Sequence, residues 1–159
     1  MRIIALQGKH NCGKTATLKQ LIGMIYGDKD AFTFEDVKPI GDVPVLYRKE
    51  KGDLQYWCTY NGVKIGITTR GDHRRFLQAD FFANKKNFRD RDIIVCAIRS
   101  SGGTVDFVSE HSTDGLIICK KKLVADIAGE DQQKTANAEQ AKDIFDKLKK
   151  FTEEVEVQK

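Results

Sequence analysis

Residues 2–15 read RIIALQGKHNCGKT, and the changes of character along this stretch decide the fold. Arg2 to Leu6 is a short aliphatic, β-branched run that stops at Gln7-Gly8, the pattern of a buried strand ending in a turn. From Lys14 onward, Leu18, Leu21, Ile22 and Ile25 recur at i, i+3, i+4 and i+7, which predicts a helix closing near Gly27. Between strand and helix, Gly8 to Thr15 (GKHNCGKT) sets a glycine, four residues, a second glycine, then lysine and threonine.

That spacing has a physical reading. Glycines let backbone N–H groups turn inward around phosphate, a lysine neutralises the outer phosphates, and a threonine hydroxyl ligates magnesium. A side chain at Gly13 would obstruct the nest of amides. Lys14 and Thr15 open a helix whose N-terminal dipole adds attraction for an anion. The preceding strand and following helix are the context the pattern requires. The candidate phosphate-binding set is Gly8, Lys9, His10, Asn11, Cys12, Gly13, Lys14, Thr15 and Ala16, with Lys14 as the catalytic cation and Thr15 as a metal ligand. His10 is a loop position that either touches phosphate or points to solvent. Cys12 is either an oxidation-sensitive thiol beside amides and a lysine or a tolerated variable position.

Further along, Asp28 to Pro44 loses periodicity and holds both prolines, so it predicts an irregular loop with a short strand at Phe32 to Phe34. Val45 to Lys49, Leu54 to Tyr60 and Val63 to Thr69 predict three strands, the last two joined at Asn61-Gly62, a strong hairpin signal. His73 to Asn87 has helical spacing. Ile93 to Ile98 (IIVCAI) is a continuous apolar run, as for a parallel strand covered on both faces. Thr104 predicts a cap for a helix through His111, and Leu116 to Cys119 (LIIC) predicts another buried strand. Asn137 with Gln140 reads as a capping box opening a last helix, whose stripe is Ala141, Ile144, Phe145, Leu148 and Phe151. Strands alternating with helices predict one α/β unit spanning 1–159, with a mostly parallel central sheet and an antiparallel hairpin at one edge.

Composition narrows the function classes. The 159 residues carry 40% hydrophobic and 31% charged side chains, ordinary for a globular domain of this size. No apolar run is long enough for a membrane span, and the apolar core of MRIIALQG is too short for a secretory signal, so the expected location is the cytoplasm. Cys12, Cys58, Cys96 and Cys119 are widely spaced, without the pairing that marks zinc, and predict reduced thiols. A net charge of +4 favours anionic ligands and makes nucleic acid only a weak partner class. Tyr56, Trp57 and Tyr60 read as strand packing, and Lys120 to Lys122 as a solvated face.

Taken with its flanking strand and helix, Gly8, Gly13, Lys14 and Thr15 resemble the P-loop nucleoside-triphosphatase superfamily. The resemblance implies a three-layer fold, a magnesium nucleotide, and hydrolysis or phosphoryl transfer to a small acceptor. The element order is similar to that of small GTPases, but Thr68-Thr69-Arg70-Gly71 stands where D-x-x-G would be, and Ala97-Ile98-Arg99-Ser100 where N-K-x-D would be. The expected cofactors are therefore ATP and Mg2+ rather than a guanine nucleotide. A nucleotide-dependent switch acting through a protein or nucleic-acid partner, with Asp28 to Pro44 as its responsive loop, is the alternative.

Phosphoryl transfer also needs a carboxylate at a strand end beside the loop. Asp72 is the candidate catalytic and metal-binding residue, with capping of the next helix as its alternative role. Arg70, Arg74 and Arg75 cluster around it, and Arg75 is the candidate for stabilising developing charge; surface ion pairing is the competing role. Arg99 follows a strand end, where ligands gather. The segment Arg74 to Arg91 is a candidate lid for a kinase.

Overall fold

The computed structural model describes residues 1–10, 12–27, 32–34, 47–49, 53–83, 88, 90–122 and 129–159. Within these, β1 (Arg2–Gln7) is followed by α1 (Lys14–Gly27), then β2 (Phe32–Phe34), β3 (Tyr47–Lys49), β4 (Asp53–Tyr60) and β5 (Val63–Thr68). Next come α2 (Arg74–Gln78), a π-helical turn (Ala79–Ala83), β6 (Ile93–Ile98), α3 (Gly103–His111), β7 (Gly115–Lys120) and α4 (Glu130–Gln158). Asn11 and, apart from Phe32–Phe34, the expected loop Asp28 to Pro44 lie outside the described residues.

The α/β class expected from the alternation is what the chain adopts. A seven-stranded sheet runs β2-β4-β5-β6-β1-β7, with β3 also paired to β4. The strands β5, β6, β1 and β7 are parallel, while β4 is antiparallel to β5, β2 and β3. The hairpin closes through Asn61 (φ 49°) and Gly62 (φ 73°) with Tyr60 opposite Val63, the two-residue turn that Asn-Gly favours. It is not the outermost element: β2 and β3 lie beyond it.

Period-two alternation sends neighbouring residues of β1 to opposite faces. Ile4 and Leu6 pack with Leu18, Leu21 and Ile25 of α1 and with Ile144 and Leu148 of α4. Ile3 and Ala5 face the other core, with Leu77, Phe81 and Phe107 around α2 and α3. Helices thus cover both faces, so β6 must be apolar on both sides, and all six of its residues are buried. Each large aliphatic side chain placed there contributes about 1.5–3 kcal/mol relative to exposure.

Four sequence expectations are corrected. The last helix begins at Glu130 rather than Asn137, because its first two turns lie outside the core and carry no apolar stripe. Asn137 and Gln140 are therefore interior helix residues, and their side chains act across the fold. Helix α3 is capped at Gly102 rather than by Thr104, whose hydroxyl instead accepts from the Arg99 N–H at 3.1 Å. The LIIC strand is the sheet's edge, so Cys119 is buried while Ile118 is 39% exposed. Lys121 is not solvated: it continues the inward alternation of Cys119 and is only 8% exposed. Among the described residues, no helix is long and apolar enough to cross a membrane.

Candidate functional site

The loop after β1 starts from a fixed point. The Gly8 N–H donates to the Ile98 carbonyl of β6 at 3.1 Å, and the Gln7 side-chain amide donates to the Ser100 carbonyl at 3.0 Å. The Lys121 N–H donates to the Gln7 carbonyl at 2.7 Å. The strand end is thus tied to both parallel neighbours just where the chain leaves the sheet.

From there the chain curls. Gly13 adopts φ +92°, a conformation that a Cβ disfavours, and its carbonyl accepts the first helical bond, from the Thr17 N–H at 3.0 Å. Thr17, fully buried, also donates its hydroxyl to that carbonyl at 3.0 Å and lies 3.3 Å from Oδ1 of Asn137. Asn137 of α4 thereby braces the start of α1. Lys14 reaches back across the loop: its Nζ donates to the carbonyls of Gly8 (2.8 Å) and Lys9 (2.6 Å) and lies 3.9 Å from Sγ of Cys12.

The electrostatics of this loop are one-sided. Lys14 is 8% exposed, and its hydrogen-bond acceptors are neutral carbonyls. Burying a charge is costly unless an opposite charge accompanies it. Among the described residues no carboxylate pairs with Lys14. The N–H groups of Lys14, Thr15 and Ala16, in the first turn of α1, have no intrahelical acceptor. Nor does any other described group accept from them or from the Thr15 hydroxyl.

The strand order sets the place of the second candidate group. Because β6 lies between β5 and β1, the end of β5 is two strand spacings, about 10 Å, from the loop strand. Gly71 carries the chain over the end of β6, and Asp72 arrives beside the loop. Its Oδ1 lies 3.3 Å from Nε of Arg99 and 3.7 Å from Nδ1 of His10. The cap position of α2 falls to His73, so Asp72 does not start that helix.

The arginines separate. Arg70 is held inward, with NH1 at 3.2 Å from Oδ1 of the fully buried Asp80, whose Oδ2 accepts from the Thr68 hydroxyl at 2.7 Å. Arg74 makes a bidentate pair with Glu110 at 3.1 and 2.5 Å. Arg75 is exposed and stacks over Phe76, 4.9 Å from the ring centre, with no described contact to Asp72 or the loop. Of the four, Arg99 is the one that pairs with Asp72 among the described residues. With Arg74 and Arg75 so engaged, these two lid candidates lie against α3 and Phe76.

Three participants gave little sequence signal. Lys121 falls in a run that reads as solvated, and only the alternation from Cys119 marks it. Asn137 resembles a cap, and Asp80 sits among helical positions without charge periodicity. The cysteines behave as expected, with Cys58, Cys96 and Cys119 buried thiols and Cys12 half-buried. Burial pushes the Cys96 thiol up to about 12, with the nearby Asp80 charge adding to the shift. Tyr56, Trp57 and Tyr60 are core residues rather than a stacking surface. Among the described residues, no group of three or more His, Cys, Asp or Glu converges to hold a metal. Comparison of the chain with protein-family models, curated proteins and solved structures finds no match.

Proposed function

We propose that this chain is a P-loop nucleotide-binding protein that takes ATP with magnesium and cleaves or transfers its terminal phosphoryl group. The observation that carries this reading is the nearly buried Lys14 ammonium beside three helix-terminal N–H groups, with no carboxylate paired to it among the described residues. A buried, uncompensated cation at the positive end of a helix suits a polyanion. Helices on both faces of the sheet, with the loop at the carboxyl end of β1, support the three-layer P-loop architecture.

Lys9, His10, Asn11, Cys12 and Gly13 would supply the curl around the phosphates, and Lys14 would neutralise their outer charge. The donors also suit magnesium, which takes hard oxygen ligands and few of them from protein. The Thr15 hydroxyl is one such oxygen. Asp72 is the other, since Oδ1 faces Arg99 and His10 while Oδ2 has no described partner. Bound there, the ion would neutralise charge developing on the phosphates. Arg99, which pairs with Asp72, would be the arginine to meet the phosphate end, rather than Arg75.

The decisive experiment is a thermal-shift panel of ATP, GTP, ADP and AMP with and without magnesium, on the natural chain and on Lys14→Ala. Stabilisation by a triphosphate that needs Lys14 supports the reading. Unchanged stabilisation in Lys14→Ala, or none in the natural chain, overturns it.

A second reading is a nucleotide-dependent switch. It is favoured by Asp72 being already paired with Arg99 and His10, an arrangement that a terminal phosphate would compete with. Proteolysis of the segment Asp28 to Pro44 with ATP against ADP separates the two, and identical cleavage removes the switch.

A further inference from the structure

A second buried cation lies against the loop. Lys121 follows the last residue of β7, and its backbone is fixed on both sides. Its own N–H donates to Gln7, while the Gln140 side chain accepts from the Lys122 N–H at 3.0 Å and donates to the Lys120 carbonyl at 2.8 Å. The point from which the side chain leaves is therefore tied to β1 and to α4. Its stem runs along the loop: a Cβ on Gly8 would lie 3.0 Å from Cβ of Lys121, and one on Gly13 would lie 3.4 Å from its Cε. The ammonium, one bond further, stands at the head of α1, where it donates to the Lys122 carbonyl at 2.8 Å.

This placement is unfavourable without a ligand. Lys121 and Lys14 are each 8% exposed, both lie against the positive end of α1, and no described carboxylate pairs with either. Two desolvated like charges at a helix N-terminus repel one another and the helix dipole. A local arrangement that costs stability and is nonetheless held by a dedicated amide latch is the pattern expected at a functional site. Desolvation also holds the Lys121 ammonium below its ordinary pKa, which a neighbouring anion would reverse.

We propose that Lys121 is a second phosphate-contacting lysine at this loop, leaving the Lys122 carbonyl to share the polyphosphate with Lys14. The inference rests on the nucleotide-binding reading above and adds to it a cation that the glycine-lysine-threonine spacing does not contain. A site with two lysines of this kind should also take polyphosphate without a nucleoside.

The test is calorimetric titration of the natural chain, Lys121→Met and Lys14→Met with Mg·ATP and with sodium tripolyphosphate, alongside the thermal midpoint of each unliganded protein. A charge-assisted hydrogen bond of this type corresponds to about 10- to 100-fold in affinity. Lys121→Met should weaken both ligands by about tenfold or more while the unliganded midpoint stays level or rises, and Lys121→Arg should recover part of the loss. If Lys121→Met binds both ligands within twofold of the natural chain while Lys14→Met does not, the role of Lys121 is overturned and the nucleotide reading stands. If neither substitution changes affinity, the nucleotide reading falls as well. A lowered unliganded midpoint in Lys121→Met, with affinity lost also in Lys121→Arg, would mark the residue as structural and overturn the proposal.

Discussion

The backbone of Gly71 passes so close to β6 that a Cβ at this position would lie 1.5 Å from the Ala97 carbonyl oxygen and 2.3 Å from its carbon. Backbone, unlike the end of a side chain, cannot step aside. This contact lets the chain cross the end of β6 and deliver Asp72 to the loop. Gly71→Ala should therefore destabilise the protein by about 3 kcal/mol or more, at the upper end of overpacking costs. Urea unfolding measures it, and a loss under about 1 kcal/mol would contradict so close an approach of Gly71 to β6.

The Arg70–Asp80 pair makes a second prediction. Asp80 is fully buried and is held by the Thr68 hydroxyl and the Arg70 guanidinium. Removing one partner of a buried pair leaves the other charge uncompensated, at about 3–5 kcal/mol. Asp80→Ala should lose that much stability, whereas Arg74→Ala, breaking the exposed pair with Glu110, should lose about 1 kcal/mol or less. Equal losses in denaturant titrations of the two variants would contradict this contrast.

These two predictions also mark where sequence and structure part. Continuous apolar runs identify β1 and β6, because strands covered on both faces have no polar alternation to hide them. Asn61-Gly62 identifies the hairpin, since both φ values are a local demand. The glycine-lysine-threonine spacing marks the loop for the same reason. What local pattern does not carry is the neighbour of each strand, and it is the insertion of β6 between β5 and β1 that makes Gly71 cross and pairs Asp72 with Arg99. Asn137 and Gln140 mislead because a polar residue that braces another element looks, in one dimension, like a cap. Lys121 is hidden by the lysines on either side, which do face solvent.

Lys121 gives stability a dependence on pH. Its ammonium is desolvated, with Lys14 and Cys12 the ionisable neighbours at the loop, and its pKa lies below the ordinary 10.5. The unfolded chain therefore binds that proton more tightly than the folded one. Below the folded pKa the penalty is fully present; as pH rises from there towards 10.5 the penalty is relieved and stability increases. Any stability advantage of Lys121→Met over the natural chain should accordingly shrink across the alkaline range as pH rises towards 10.5. Denaturant midpoints across that range measure it, and a constant or growing difference would reverse the sign of the argument.

On the proposed function, Asp72→Asn should separate binding from turnover. Its Oδ1 lies 3.3 Å from Nε of Arg99, so Asp72→Asn removes the counter-charge of that guanidinium without changing size. Freed from the carboxylate, Arg99 gains attraction for a phosphate, and the affinity for ATP in the absence of magnesium should stay level or rise. If the carboxylate orients the attacking group, turnover should fall by about a hundredfold or more, the range for a positioned general base. Single-turnover hydrolysis measured beside nucleotide affinity resolves the two effects. Reduced affinity with unchanged turnover would place Asp72 in binding alone, and equal loss of both would make it a brace for the loop rather than a participant in the chemistry.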